Sequence, residues 1–390
     1  MREYTVGDCF YQIRNGANIK QGYGAGGYPI TRIETTANDT FNRDRMGFAG
    51  ITDLSKYEGY VLEDGDLLMS HINSVQYLGR TVLYEKQENE TIIHGMNLLS
   101  LKANRNIILP EFARYSFRSD PFKKQLSKIT KKSVNQASFT VADLKKISLS
   151  VPPLNEQKSI VQTLDKCRLI EAKRQQQLSA LDDLIKARFV EMFGDLRSNP
   201  KGWPVYCFED ITEIITDGEH ATPRRVDQGI YLLSARNVLD HGLQLYDVDF
   251  IDQEEYDRIA KRIIPQAGDV LISCSGSVGR CCTVPEGLKF QMVRSAALLR
   301  FDKRVLPVYA EYMITSDDLQ DQINSSKTAS SQANLFQGRI AKLKGFVPPI
   351  AQQEQFASFV AQIAKSKSVI QKSLDETQLL FNSLMQKYFG

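Results

Sequence analysis

No two cysteines in this chain are spaced as a CxxC pair, and no histidines cluster. The six Cys (Cys9, Cys167, Cys207, Cys274, Cys281, Cys282) and four His (His71, His94, His220, His241) are scattered over 390 residues. That spacing excludes a zinc ribbon or finger and a disulfide scaffold, and reduced thiols are expected. Long apolar runs are missing as well. No stretch approaches the roughly 20 residues of a membrane span, and the opening MREYTVGDCF has no apolar core of a secretory leader. A cytoplasmic protein with no membrane partner is therefore expected. Charge of one sign is also scarce: 49 Lys and Arg stand against 46 Asp and Glu, a net +3. Any surface for a polyanion must then be local.

Catalytic signatures are lacking too. There is no Walker A sequence, and the Gly-rich GYGAGG at 22–27 lacks the strand and helix that a cofactor loop requires. Val, not Asn or Asp, precedes both Pro-Pro pairs, which argues against an amino-methyltransferase. No carboxylate cluster has the spacing of a metal nuclease. No catalytic residue, bound cofactor or metal is assigned to the chain.

What is present is a repeat. Residues 151–194 begin VPPLNEQ and end EMFG; residues 347–390 begin VPPIAQQ and end KYFG, without a gap between them in alignment. Nine of 44 positions are identical, including both ends and the interior pair Leu178/Leu374. The second copy places Phe356, Val360, Ile363, Lys367, Ile370, Leu374, Thr377, Phe381, Leu384 and Tyr388 at alternating steps of four and three. That is a heptad seam, which predicts a helix packed along a partner helix. In the first copy the seam is Ile160, Leu164, Cys167, Glu171, Arg174, Leu178, Leu181, Ile185, Arg188 and Met192, polar at its middle. The Pro pairs force an extended start and the glycines stop each helix. About 38 helical residues would extend about 57 Å, and an intramolecular antiparallel pair is expected.

The repeat continues outward. GDLLMSHINS (65–74) parallels GDVLISCSGS (268–277), PEFARY (110–115) parallels PVYAEY (307–312), and NQASFTVADL (135–144) parallels SQANLFQGRI (331–340). VGDCFYQIRNG (6–16) likewise parallels FEDITEIITDG (208–218). Short β-branched runs between Gly, Asn and Asp turns predict mixed-sheet α/β (α+β) domains. The turn-rich DLRSNPKGWP at 195–204 reads as a linker.

This order of parts resembles the specificity subunit of type I restriction–modification systems. The resemblance is carried by the two PPL/PPI…EQ/QQ…FG helices, the GDVLIS-type strand, the HINS and SGSVGR loops, DGEHATP at 217–223 and SARNV at 234–238. It covers essentially the whole chain. It implies a pseudo-two-fold layout: target-recognition domain 1 over 1–150, spacer helix 1 over 151–195, target-recognition domain 2 over 196–346 and spacer helix 2 over 347–390. Each recognition domain would read one half of a gapped DNA site, and the helices would set the gap and dock two methyltransferase subunits. Restriction subunits would join the complex, and S-adenosylmethionine, ATP and magnesium would be bound by partner subunits. The first half departs from the pattern, showing RNGANIKQG (14–22) and ITRIE (30–34) where the second has DGEHATP and SARNV.

On double-stranded DNA, cations hold phosphates whereas forked donors and amides read bases. Residues 120–146 carry seven Lys against two Asp, a candidate phosphate track that includes Lys128, Lys131 and Lys132. The equivalent stretch of the second half, which contains Lys327, is nearly balanced. Base-reading candidates in the first half are Gln21, Arg32, His71, Asn73, Asn135 and Gln136. Those in the second are Arg224, Arg225, Arg236, Asn237, Ser275, Ser277, Arg280, Gln332 and Asn334. Each has a competing role in a turn or cap. The alternative function is a scaffold that tethers proteins, not DNA, through two α/β modules.

Overall fold

The structure, a computed structural model, describes residues 1–22, 26–134, 136–325 and 334–390. The chain forms two compact units, residues 1–175 with 372–390 and residues 176–371. All six cysteines are free thiols, and no helix of the described residues is long and apolar enough to cross a membrane.

In the first unit a four-stranded antiparallel sheet is laid down in the order Phe10–Asn15, Leu98–Ala103, Leu67–Ser70, Thr81–Leu83. The second unit repeats the order with Thr212–Asp217, Ala296–Phe301, Val270–Ser273 and Cys281–Thr283. The register slips at the same place in both, between Phe10 and Gln12 and between Thr212 and Ile214. The GD turns precede strands that are buried on both faces, so LLMS and VLIS read as unbroken apolar runs. Helices Pro110–Ser116 and Pro307–Ile314 both open on proline, whose missing N–H costs nothing there.

The units differ where their sequences differ. The second adds a three-stranded sheet of Asp249–Ile251, Ile230–Leu233 and Phe290–Met292. Among the described residues, the first has there isolated bridges, such as Ile30 with Gly47 and with Ile93, and short 3-10 turns over Ile33–Asp39 and Arg43–Arg45.

The repeated Pro-Pro segments become two 40-residue helices, Leu154–Phe193 and Ile350–Phe389. A strand at the start of each half is tied to the strand feeding its helix: Arg2–Thr5 pairs with Ser148–Val151, and Val205–Cys207 with Lys344–Phe346. The conserved-looking Gln of each copy explains the EQ and QQ wording. Gln157 is fully buried, accepts the Leu109 N–H (2.8 Å) and donates to the carbonyls of Ile107 and Pro152 (both 2.8 Å). Gln353 makes the same three bonds to Leu306, Arg304 and Pro348. One amide thus satisfies three backbone groups that would otherwise be stranded where the helix begins.

Every seam position foreseen on either helix is buried or half-buried. In the second unit Phe193 packs on Phe356 (5.6 Å between rings), and Asp182 pairs with Lys367 (2.5 Å). In the first, the Arg168 guanidinium covers the Phe381 ring at 5.2 Å. In the second unit numbers rise along one helix as they fall along the other, so the pairing there is antiparallel. Lys367, the polar gap in the seam, is filled by an ion pair. Gly194 ends the first helix at φ +85, and a Cβ there would stand 2.7 Å from Pro200.

The 195–204 stretch is turn-rich as expected but is not a loose linker. Leu196 N–H donates to Asp318 (2.8 Å), and the Trp203 indole donates to the Phe193 carbonyl (3.0 Å). Both bonds lie inside the second unit.

Candidate nucleic-acid interface

In the first unit the HINS motif and the QASF segment at 136–139 meet in a small sheet. Ile72 stands opposite Ser138 and Asn73 opposite Ala137, while Lys131 and Lys132 pair with the other edge of Ala137–Ser138. The hairpin is closed by Ser133, whose N–H and hydroxyl both donate to the Gln136 carbonyl (2.7 and 2.9 Å). Lys128, Lys131, Lys132 and Gln136 are exposed, as are Lys123, Lys124, Lys145 and Lys146. Local charge on a hairpin flank is what a phosphate track requires. Asn135 lies outside the described residues, as do Lys327 and Gln332.

Asn73 and His71 are partly spent on the fold. The Asn73 amide donates to the Ser70 hydroxyl (3.1 Å) and accepts the Ser74 N–H (2.8 Å). His71 is buried, with its ring edge-on to Phe139, and burial pushes its pKa below the ordinary imidazole value. It supports the loop as a neutral ring. Gln21 and Arg32 are brought together elsewhere, lining a 340 Å³ cavity with Lys20, Glu34 and Met96. A Cβ on Gly47 would reach within 2.2 Å of the Gln21 amide oxygen, so glycine makes room for that side chain. Arg32 faces Glu34 at 3.4 Å.

The second unit builds the equivalent loop pair with the same bonds. Ser275 bridges Asn334, as Ile72 does Ser138. The Leu335 N–H donates to the Cys274 carbonyl (2.9 Å), as Phe139 does to His71 (3.3 Å). Asp217, His220, Ser275, Asn334 and Gln337 line a polar cavity of 510 Å³, together with Arg294 and Ser295. DGEHATP and SGS therefore converge with Asn334 on one hollow. The neighbouring Ser277 is exposed, and Arg280 is half-buried with no side-chain partner among the described residues.

The other arginines expected to read bases are held by carboxylates. Arg224 contacts Glu254 (2.9 Å) and Asp252 (2.7 Å), which raise its pKa. Arg225 and Arg236 share Asp249, at 2.9 and 3.0 Å. Burial pushes the Asp249 carboxyl up, but the two guanidiniums outweigh it and hold it below the ordinary range. Such partly exposed ion pairs are weak, because solvent screens them.

Asn237 does not fit its expected role. It is fully buried; its Oδ1 accepts from the Ser234 N–H and hydroxyl (2.9 and 3.0 Å), and its Nδ2 donates to the carbonyls of Gln244 and Asp247 (3.0 and 2.9 Å). Every amide position is used internally, so the Asn of SARNV shapes a turn and has no donor or acceptor left for a base. Conversely, Arg294 and Ser295 were missed. Their segment reads as a strand from its apolar neighbours, and only the Arg-Ser break in QMVRSAALL signals the turn.

Over 186 residues the chain is 35% identical to a type I restriction enzyme MjaX specificity subunit of Methanocaldococcus jannaschii, covering 48% of this chain and 44% of that protein. Over 155 residues it is 24% identical to the type I restriction enzyme EcoKI specificity subunit of Escherichia coli K12, covering 40% and 33%. The matches thus span less than half the length of these relatives. In fold, it resembles the type I restriction–modification S subunit of M. genitalium with a TM-score of 0.59 at 12% identity, over 100% of this chain and 96% of the other. It also resembles a chain from a type I R-M system solved for its complex assembly and conformational transition, with a TM-score of 0.57 at 17% identity over 100% and 97%. The type I restriction modification DNA specificity domain is matched twice, over residues 1–180 and 200–377, and the chain belongs to that family.

Proposed function

We propose that the chain is the DNA-reading subunit of a type I restriction–modification complex and has no catalysis of its own. Its recognition domains, over 1–150 and 196–346, each take one half of a gapped, bipartite site. The helical segments 151–195 and 347–390 set the gap and dock two methyltransferase subunits, to which restriction subunits add. S-adenosylmethionine, ATP and magnesium belong to those partners, and the assembly works in the cytoplasm.

The observation that carries this reading is the duplicated loop pair. Two sheets of one topology each hold a polar loop against a second segment through the same backbone bond, from Phe139 to His71 and from Leu335 to Cys274. A scaffold for proteins has no need of two matched polar loop clusters with exposed lysines beside one of them. Backbone-fixed loops with divergent side chains suit the reading of two different half-sites. The test is co-expression with the methyltransferase partner and mapping of modified bases across a genome. A discontinuous motif that depends on this chain is expected; one continuous short motif, or modification independent of the chain, would refute the reading.

A further inference from the structure

Arg294 differs from the other arginines of the second unit's DGEHATP and SARNV region. It is exposed at the rim of the 510 Å³ cavity, and its guanidinium has no carboxylate, hydrogen-bond or ring partner among the described residues. Arg224, Arg225, Arg236, Arg258 and Arg262 all carry acidic partners there. A guanidinium with unused donors can meet a new acceptor without first giving one up.

Its backbone is fixed from three sides. The Arg294 N–H donates to the Glu219 carbonyl (3.1 Å), and the preceding Val293 N–H to Leu233 (2.9 Å). The following Ser295 accepts the Ala235 N–H on its hydroxyl (3.0 Å) and the Cys274 N–H on its carbonyl (2.7 Å). Residue 294 is therefore the apex of a turn on which the DGEHATP, SARNV and SGS segments all converge. A base held in this way leaves only the side chain of residue 294 to be ordered on docking.

The first unit has the same turn. There Met96 N–H donates to the Ala17 carbonyl (3.0 Å), and Met96, 36% exposed, lines the Gln21–Arg32 cavity. The apex residue thus differs in chemistry between otherwise matched frames, Met96 in one and Arg294 in the other.

We propose that Arg294 is a specificity-determining residue that reads a guanine, through O6 and N7, in the half-site taken by the second unit. Bidentate contact of this kind uses the planar fork, which lysine cannot reproduce. The inference rests on the DNA-reading role proposed above and adds the residue and the base.

The experiment uses the full chain assembled with its methyltransferase partner, and duplexes carrying the mapped site with each base pair permuted in turn. R294A and R294K are compared with the wild type. Both variants should lose a roughly tenfold to hundredfold preference for guanine at one position of one half-site, with the other half-site read as before. R294K should keep most of the affinity and the salt slope. If R294K matches the wild type while R294A binds all duplexes more weakly, Arg294 holds a phosphate and the proposal fails. Unchanged preferences in both variants, or relaxation at a base pair without guanine, also overturn it. A wild-type complex that discriminates no duplex would instead refute the DNA-reading role itself.

Discussion

Asn237 shows how a side chain suited to reading adenine can serve a different purpose. Its amide joins Ser234 to Gln244 and Asp247, and so closes the turn that opens at SARNV. Replacing it by Ala takes the partner from two carbonyls and a backbone N–H around a buried side chain, at a cost of roughly 1–3 kcal/mol. Thermal unfolding of N237A should show a lower midpoint, with the base preference of the surviving folded protein unchanged. An unaltered midpoint with a changed preference would return Asn237 to the interface. The arginines next to it follow the same logic at the surface: Asp249 orients Arg225 and Arg236 at once, so its carboxylate governs where two cations stand.

At the scale of elements, the hairpin that carries Lys131 and Lys132 is the feature of the first unit with the clearest physical consequence. Its lysines are exposed and flank the loop that holds Asn73. Replacing both by Ala should weaken binding of the assembled complex to all sequences alike and lower the salt slope by about one unit per lysine lost. Selective loss at a single base pair would mean that they read bases. The long helices carry a second prediction. Seven residues inserted after Lys173, matched by seven in the facing stretch near Glu376, preserve the heptad seam. They add about 10 Å of helix, or about three base pairs at 3.4 Å each. The gap in the modified motif should lengthen accordingly; an unchanged gap would refute a spacing role for the helices.

For the whole molecule, duplication implies modularity. Each unit has its own apolar core, one centred on Leu67, Phe112 and Leu164, the other on Phe208, Ile272 and Phe356. Each also closes its own strand pair before the helix begins. Exchanging residues 1–150 for another recognition domain of the family should change one half of the methylated motif and leave the other intact. Genome-wide mapping of modified bases reads both halves at once, and a change in both would argue that the two halves do not act independently.

The amino-acid sequence by itself determined the repeat, the heptad seams, and the proline starts and glycine stops of the helices. These are matters of local periodicity and backbone chemistry, which a linear pattern carries directly. It left open the second unit's extra sheet, whose parallel strands Ile230–Leu233 and Phe290–Met292 lie far apart along the chain. Only the tertiary structure decided which candidate side chains are available. Arg225 meets Asp249 across 24 residues, Arg224 meets Asp252 across 28, and Asn237 is enclosed by a turn that ends ten residues on. Arg294, lost in an apolar stretch of sequence, is lifted to a rim by three segments that converge on it. Availability depends on which long-range partner reaches a side chain first, and that is a property of packing.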